Sequence, residues 1–198
     1  MDLKKRRRER QVRRFEQTKR DLQAWFTPER WDQVYPILTL TDKDGISCRL
    51  LEYLVTHYAR GDGNERVRYY LKDPNERVVM FDLYTAMHNQ QRANHKKNLE
   101  AFARSNTDLP NNGRFMFGYE DRQVETNVAQ LQFYRFLLSN QVLKWLRLHV
   151  HEVRAAKSQF ELDKKQSKGE KNPPASPDKR RKIRHRYKKS GCYHVVKL

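Results

Sequence analysis

The stretch from Thr126 to Val150 constrains the fold of this chain more than any other part of its 198 residues. Its first half is almost entirely apolar and contains Val128, Ala129, Leu131, Phe133, Tyr134, Phe136, Leu137 and Leu138. A helix that is apolar on nearly every side has to be enclosed by other elements. The stretch therefore predicts a central core helix, and the apolar spacing that resumes at Val142 predicts a second, amphipathic helix after it.

Local signals predict where this core helix begins and ends. Thr126 or Asn127 is expected as the N-cap residue, because both side chains can accept a hydrogen bond from the first turn. Gln130 stands where a capping-box side chain returns to the N–H of the cap residue. Asn140 is expected to end the helix, since asparagine tolerates the left-handed conformation that closes a helix.

Charge is concentrated at the two ends of the chain. Residues 1–20 hold ten Lys/Arg against three Asp/Glu, and residues 164–198 hold thirteen against two. The intervening residues hold nineteen of each sign, so the net charge of +18 resides at the ends. We therefore expect a basic N-terminal arm over 1–20, a globular domain over 21–160 and a basic Lys/Pro/Ser-rich tail over 161–198. Strongly cationic ends indicate a polyanionic partner, most commonly nucleic acid and next an anionic membrane surface.

Apolar spacing predicts a helix-rich α+β fold for the globular domain. A spacing of three to four residues indicates helices, and strict alternation indicates strands. Helices are predicted over 15–26, from Thr27-Pro28 to a stop at Pro36, over 46–58 with a stop at Gly61, and over 83–104. Strands are predicted at 66–71, 77–81, 114–119 and 123–125. The expectation is a single domain with two short β-hairpins, flanked by basic tails.

Several polar residues inside the domain are interpreted as structural. The Asp42-Lys43-Asp44-Gly45 turn superficially resembles a calcium loop, but no acidic residue occupies the closing position. Arg135 interrupts the core helix and is expected to pair with Glu125 or Asp121, because a buried unpaired charge is prohibitively costly. Cys48 lies in an apolar helical run and is expected to be a buried thiol.

The sequence carries no recognisable catalytic or metal signature. A nucleophile beside a base, a Gly-rich phosphate loop and a pair of carboxylates are all missing from the pattern. His149 and His151 are two residues apart and point to different sides of a helix. Cys192 and His194 offer two ligands where zinc requires four. We predict a protein that is not an enzyme and that has neither a cofactor nor a metal site.

Two runs of residues carry a resemblance to a known family. They are Tyr69 through Lys96-Lys97, Phe102 and Arg104, and Thr126-x-x-x-Gln130-Leu131-x-Phe133-Tyr134-Arg135 with Asn140-x-Val142. They resemble a small, basic, uncharacterised family of nucleocytoplasmic large DNA viruses, the giant viruses. That family pattern has a Lys-Lys pair before an Asp-Pro-Phe-like segment and a Thr-Thr-x-Gly-Gln-Leu-Asn-Phe-Phe-Arg-Trp-like helix. The chain departs from it at Glu100-Ala101, Asn127, Ala129 and Gln132. The resemblance covers residues 46–150 and implies a divergent, virus-encoded member without a known activity.

The basic ends predict sequence-independent binding of nucleic acid, with DNA favoured over RNA. Cations that contact a duplex displace counterions from its phosphates, which gives affinity without sequence preference. For a virus-encoded protein, as the resemblance implies, we expect this binding to act in genome packaging, the virion core or the viral replication compartment. The candidate binding residues are Lys4, Lys5, Arg6, Arg7, Arg8, Arg10, Arg13, Arg14, Lys96, Lys97, Lys179, Arg180, Arg181, Lys182, Arg184, Arg186, Lys188 and Lys189.

The alternative is a structural or interaction protein of the virion whose basic tails serve solubility or nuclear import. Lys164-Lys165 and Lys179-Arg180-Arg181-Lys182 have the spacing of a bipartite import signal. The sequence has no apolar run long enough for a membrane span, and its first residues are too basic for a signal peptide. With only two cysteines, we expect an intracellular protein that is not secreted, located in the virion, the host nucleus or a cytoplasmic viral factory.

Overall fold

The computed structural model describes residues 3–61, 66–72, 75–94, 99–102, 104–107 and 109–171. It divides into two compact units, Met1–Lys157 and Ser158–Leu198. The helices among the described residues are α1 Leu3–Trp25, α2 Pro28–Leu38, α3 Cys48–Thr56, α4 Leu83–Asn94, α5 Val128–Ser139 and α6 Val142–Lys171. The strands are β1 Arg68–Lys72, β2 Val78–Asp82, β3 Arg114–Tyr119 and β4 Arg122–Asn127. The predicted helix-rich α+β fold with two antiparallel hairpins is confirmed.

Helix α5 is the centre of the first unit, as its apolar composition predicts. Leu131, Tyr134 and Leu137 have no exposed surface, and Phe133 is almost as deeply buried. Asn127 is the N-cap residue, and its side-chain oxygen accepts a hydrogen bond of 2.8 Å from the Gln130 N–H. Most of the helix is therefore enclosed, and Arg135 and Ser139 mark its exposed side.

The side chain of Gln130 does not return to the cap, contrary to the capping-box prediction. Its amide nitrogen instead donates to the Ala101 carbonyl at 2.8 Å, and its oxygen accepts from the Thr126 hydroxyl at 2.7 Å. The whole residue is buried, so its amide has to find partners within the protein. Gln130 thereby ties the segment at residues 99–102 to the first turn of α5.

Helix α5 ends where predicted, with Asn140 as its C-cap residue, but the left-handed conformation falls on another residue. Asn140 is not left-handed, with φ −101°, and Gln141 takes the positive φ of 54° instead. The Asn140 side chain donates to the Phe136 carbonyl at 2.8 Å, and its own carbonyl accepts from the Tyr69 hydroxyl at 2.7 Å. These two hydrogen bonds fix Asn140 as a polar junction, so the reversal of the chain falls on the next residue.

The hairpin β3–β4 packs its aromatic face against the end of α1 and against α2. Rings of Phe26, Trp31 and Phe117 meet edge to face, with centroids 4.9–6.0 Å apart. Trp31 and Phe26 are fully buried, and the Trp31 indole N–H donates to the Arg122 carbonyl at 2.7 Å. This aromatic layer joins three elements that are distant in the sequence.

The hairpin β1–β2 contacts the core through one face only. On the inner face Tyr69 pairs with Phe81 and stacks on Trp145 of α6, with centroids 6.3 Å apart. On the outer face Tyr70, Val78 and Met80 are exposed. The alternation along the strands places these two sets on opposite sides.

Two predicted helix ends are wrong, and a third helix extends into the segment predicted as the tail. Helix α2 continues past Pro36 to Leu38, because a proline in the last turn removes only one hydrogen bond of the ladder. Helix α4 ends at Asn94 and does not reach residue 104. Helix α6 continues to Lys171, past the start of the tail predicted at residue 161, because the residues there are strong helix formers.

Candidate nucleic-acid interface

Helix α1 carries the N-terminal set of predicted binding residues. The helix runs without interruption from Leu3, so the arm is helical along its described length. The described arginines of this set all have exposed side chains: Arg6, Arg7, Arg8, Arg10, Arg13 and Arg14. Lys4 and Lys5 are also part of helix α1, but the structure describes only their backbone.

The inner face of α1 is apolar and docks near its C-terminal end. The rings of Phe15 and Phe115 of β3 pack edge to face, with their centroids 6.0 Å apart. The Lys19 ammonium lies 4.6 Å from the centre of the Phe115 ring. Leu22 and Phe26 are completely buried. The predicted helix over 15–26 is confirmed, and it is packed against β3.

The outer face of α1 is cationic. At 3.6 residues per turn, Arg6, Arg10, Arg13 and Arg20 fall on the side opposite Phe15. From Arg6 to Arg20 this outer face is about 21 Å long at 1.5 Å per residue. Glu9 and Asp21 lie beside it, and Asp21 accepts a hydrogen bond from the Gln17 amide. The helix therefore separates an apolar docking side from an arginine side.

Among the described residues no carboxylate pairs with Arg135, contrary to the prediction. Glu125 instead binds Arg114 at 3.0 Å. The Arg135 side chain is exposed, and its guanidinium carbon lies 5.4 Å from the centre of the Trp25 ring. Arg30 of α2 also lies over Trp25, with its guanidinium carbon 4.3 Å from the ring centre.

Other ion pairs among the described residues are also formed by arginines. Arg147 binds both Asp42 and Asp44 of the turn that superficially resembles a calcium loop. Burial opposes the charge of Arg147, but the two carboxylates outweigh it and raise the pKa of the guanidinium. The two carboxylates of that turn therefore bind the Arg147 guanidinium. The remaining pairs are Arg66 and Arg68 with Asp82, Arg104 with Glu100, and Arg122 with Asp32.

The thiol of Cys48 lies against the core helix. Its Sγ is 3.0 Å from the Tyr134 hydroxyl oxygen, and burial raises the pKa of Cys48. Cys48 is half-buried and not fully buried as expected, and its raised pKa reduces the reactive thiolate fraction. Among the described residues, no three His, Cys, Asp or Glu side chains are grouped as metal ligands.

The other predicted binding residues fall outside the described structure. They are Lys96 and Lys97, and the C-terminal set Lys179, Arg180, Arg181, Lys182, Arg184, Arg186, Lys188 and Lys189. The sequence reasoning missed Arg20, Trp25 and Arg30 as surface residues beside the arm. The helical period would have placed Arg20 on the outer face of α1. The approach of both Arg30 and Arg135 to the Trp25 ring depends on tertiary packing.

Comparison with known proteins identifies a family relationship. The model of a family of unknown function, DUF7197, matches residues 4–192. No curated protein and no solved structure matches the chain. The matched span includes α1, both hairpins, α5 and most of the basic C-terminal residues. Within the described part of the chain, none of the helices is both long enough and apolar enough to cross a membrane.

Proposed function

The chain belongs to the DUF7197 family of unknown function, and we propose that it is a non-catalytic protein that binds nucleic acid without reading its base sequence. The observation that carries this proposal is the arginine face of α1. The helix presents guanidinium groups outward, while Phe15 on its opposite face packs against Phe115 of β3. Arginine forms strong, forked hydrogen bonds with phosphate oxygens.

The spacing of the outer face suits a polyanion. Successive turns of a helix repeat every 5.4 Å or so, and duplex DNA carries roughly one charge per 1.7 Å of its axis. Several phosphates therefore lie within reach of the outer face at once. Contacts to phosphates position a protein on the duplex but carry no base information. This supports binding that depends on charge and little on sequence.

The strongly basic C-terminal residues support the same proposal. The segment from residue 164 to 198 holds thirteen Lys/Arg against two Asp/Glu. A second cationic segment on the same chain raises affinity by making its contact intramolecular once the first is bound. The resemblance to the virus family favours a virus-encoded protein that acts in genome packaging, the virion core or the replication compartment, with DNA as the partner.

A second candidate is a structural protein of the virion whose tails serve solubility or nuclear import. The observation that favours it is the exposed apolar face of the β1–β2 hairpin, with Tyr70, Val78 and Met80. Exposed apolar surfaces of this kind are frequent at protein interfaces. In this alternative the basic residues would contribute no binding to nucleic acid.

The salt dependence of duplex binding tests the proposal. The measurement uses the full-length protein and a mixed-sequence duplex of two helical turns, roughly 20 base pairs. Replacing Arg10, Arg13 and Arg20 with glutamine should lower the slope of log affinity against log salt by about 2 to 3. The matched control replaces the same three residues with lysine, which preserves the charge and should preserve most of the slope. A wild-type protein that does not bind at low salt would refute nucleic-acid binding and favour the virion alternative.

A further inference from the structure

The side chains of Trp25, Arg30 and Arg135 form one surface cluster at the C-terminal end of α1. They come from three different helices, α1, α2 and α5. The two guanidinium carbons lie 4.3 Å and 5.4 Å from the centre of the same indole ring. They are therefore at most about 10 Å apart, and both side chains are exposed while the ring is half-buried. We call these three residues the Trp25 cluster.

The Trp25 cluster differs from the other arginine sites of the body. Among the described residues, no carboxylate forms an ion pair with Arg30 or Arg135, whereas Arg68, Arg114 and Arg147 each bind one. Arg30 uses one donor on the Trp25 carbonyl at 2.6 Å and keeps others for a ligand. Two like charges near one ring repel each other, and an anion between them would remove that repulsion.

The ring orders the two guanidinium groups. A guanidinium stacked on tryptophan is attracted by the π-electron face and loses side-chain freedom before any ligand arrives. The edge of Phe26, which is fully buried, holds the indole in place with centroids 4.9 Å apart. The donors are thus partly ordered, which lowers the entropic cost of binding an oxyanion.

The cluster lies in line with arginines of α1. Arg7, Arg14 and Trp25 share one side of the helix, since eleven residues make about three turns. From Arg14 to Trp25 the distance along the axis is about 17 Å, and a duplex of that length carries about ten phosphates. A single duplex can therefore contact α1 and the Trp25 cluster together.

We infer that the Trp25 cluster is a phosphate-binding site that clamps the backbone of a nucleic acid between Arg30 and Arg135. This inference rests on the proposed function and locates a contact in the folded body that the basic arms do not supply. The ligand group is a backbone phosphate, and its oxygens accept hydrogen bonds from both guanidinium groups.

Two measurements on the full-length protein test the clamp. The first is the salt slope for the duplex of roughly 20 base pairs. Replacing Arg30 and Arg135 with glutamine should lower the slope by about 2. The matched control replaces Arg49 and Lys144 with glutamine, which removes the same charge from exposed positions without a described ring contact, and should leave the slope unchanged.

The second measurement is the fluorescence change of Trp25 when the duplex is added. It is isolated as the difference between the wild-type protein and Trp25→Phe, because Trp31 and Trp145 remain in both. We expect a clear change that the Arg30→Gln, Arg135→Gln double variant loses. Inorganic phosphate at the same concentration of phosphate groups should produce no such change.

The outcomes separate this inference from the proposed function. If the duplex binds with an unchanged slope in the double variant and Trp25 does not respond, the clamp is refuted while nucleic-acid binding stands. If inorganic phosphate alone produces the same Trp25 response, the site binds small anions and the backbone assignment is wrong. If the wild-type protein binds no duplex at low salt, both the function and the clamp are refuted.

Discussion

Helices α5 and α1 belong to the same folded unit, but α5 is mostly buried and α1 is mostly exposed to solvent. Helix α5 is 12 residues long, and six of its side chains are buried, with Arg135 as its one charged residue. Helix α1 is 23 residues long, and its buried side chain is Leu22 near the C-terminal end. Helix α5 is held by contacts on most of its sides, and helix α1 by one face of its C-terminal half.

The difference shows that stability and binding are assigned to separate helices. A charge placed on α5 has to leave the core, as Arg135 does when it lies over Trp25. A charge placed on the outer face of α1 remains in water and costs the fold little. The outer face can therefore accumulate arginines that an enclosed helix could not accept.

The largest expected effect is the loss of a core side chain from α5. Leu137→Ala should lower the free energy of unfolding by about 2 to 5 kcal/mol, because the side chain is fully buried and its removal leaves a cavity. Urea denaturation provides the measurement. Leu148→Ala is the control, since Leu148 is 77% exposed and should change stability by less than about 0.5 kcal/mol. Equal effects at both positions would mean that α5 is not the core helix.

A smaller effect is expected where α1 docks. Leu22→Ala should cost about 2 to 3 kcal/mol, at the lower end of the range for a buried leucine, because a terminal helix can detach locally. The matched control is Leu3→Ala on the same helix, which is 79% exposed and should be neutral. Urea denaturation together with hydrogen exchange in α1 distinguishes local detachment from global unfolding. A neutral result for Leu22 would show that α1 is not docked.

The smallest effect on stability is expected from shortening the chain at its basic ends. A protein without residues 1–13 and 164–198 retains Phe15, Leu22 and the buried part of α6, which extends to Val153. We expect a cooperative urea transition with nearly the same midpoint, together with much weaker duplex binding. A molten or insoluble product would show that the basic segments contribute to the core. Unchanged duplex binding would place the interface in the body alone.

Sequence patterns predicted the parts of the fold that depend on neighbouring residues. The Thr27 cap with Pro28, the αL conformation of Gly61 and both hairpins follow from local backbone preferences. The inward sides of α3 and α5 follow from the hydrophobic period. The N-terminal cationic set is equally evident in the sequence, because charge requires no partner to be recognised.

The sequence alone determined which segments are helical, which side chains have to be buried and where the charge lies. Only the tertiary structure decided the partners of the polar residues: Gln130 binds Ala101 29 residues away, and Arg147 binds Asp42 105 residues away. Arg135 and Arg30 likewise meet at Trp25 only after three helices have packed. The physical reason is that hydrophobicity and its helical spacing can be read from residues that are close together in the sequence. A hydrogen bond or an ion pair between distant residues is chosen by the packing that brings its two groups together.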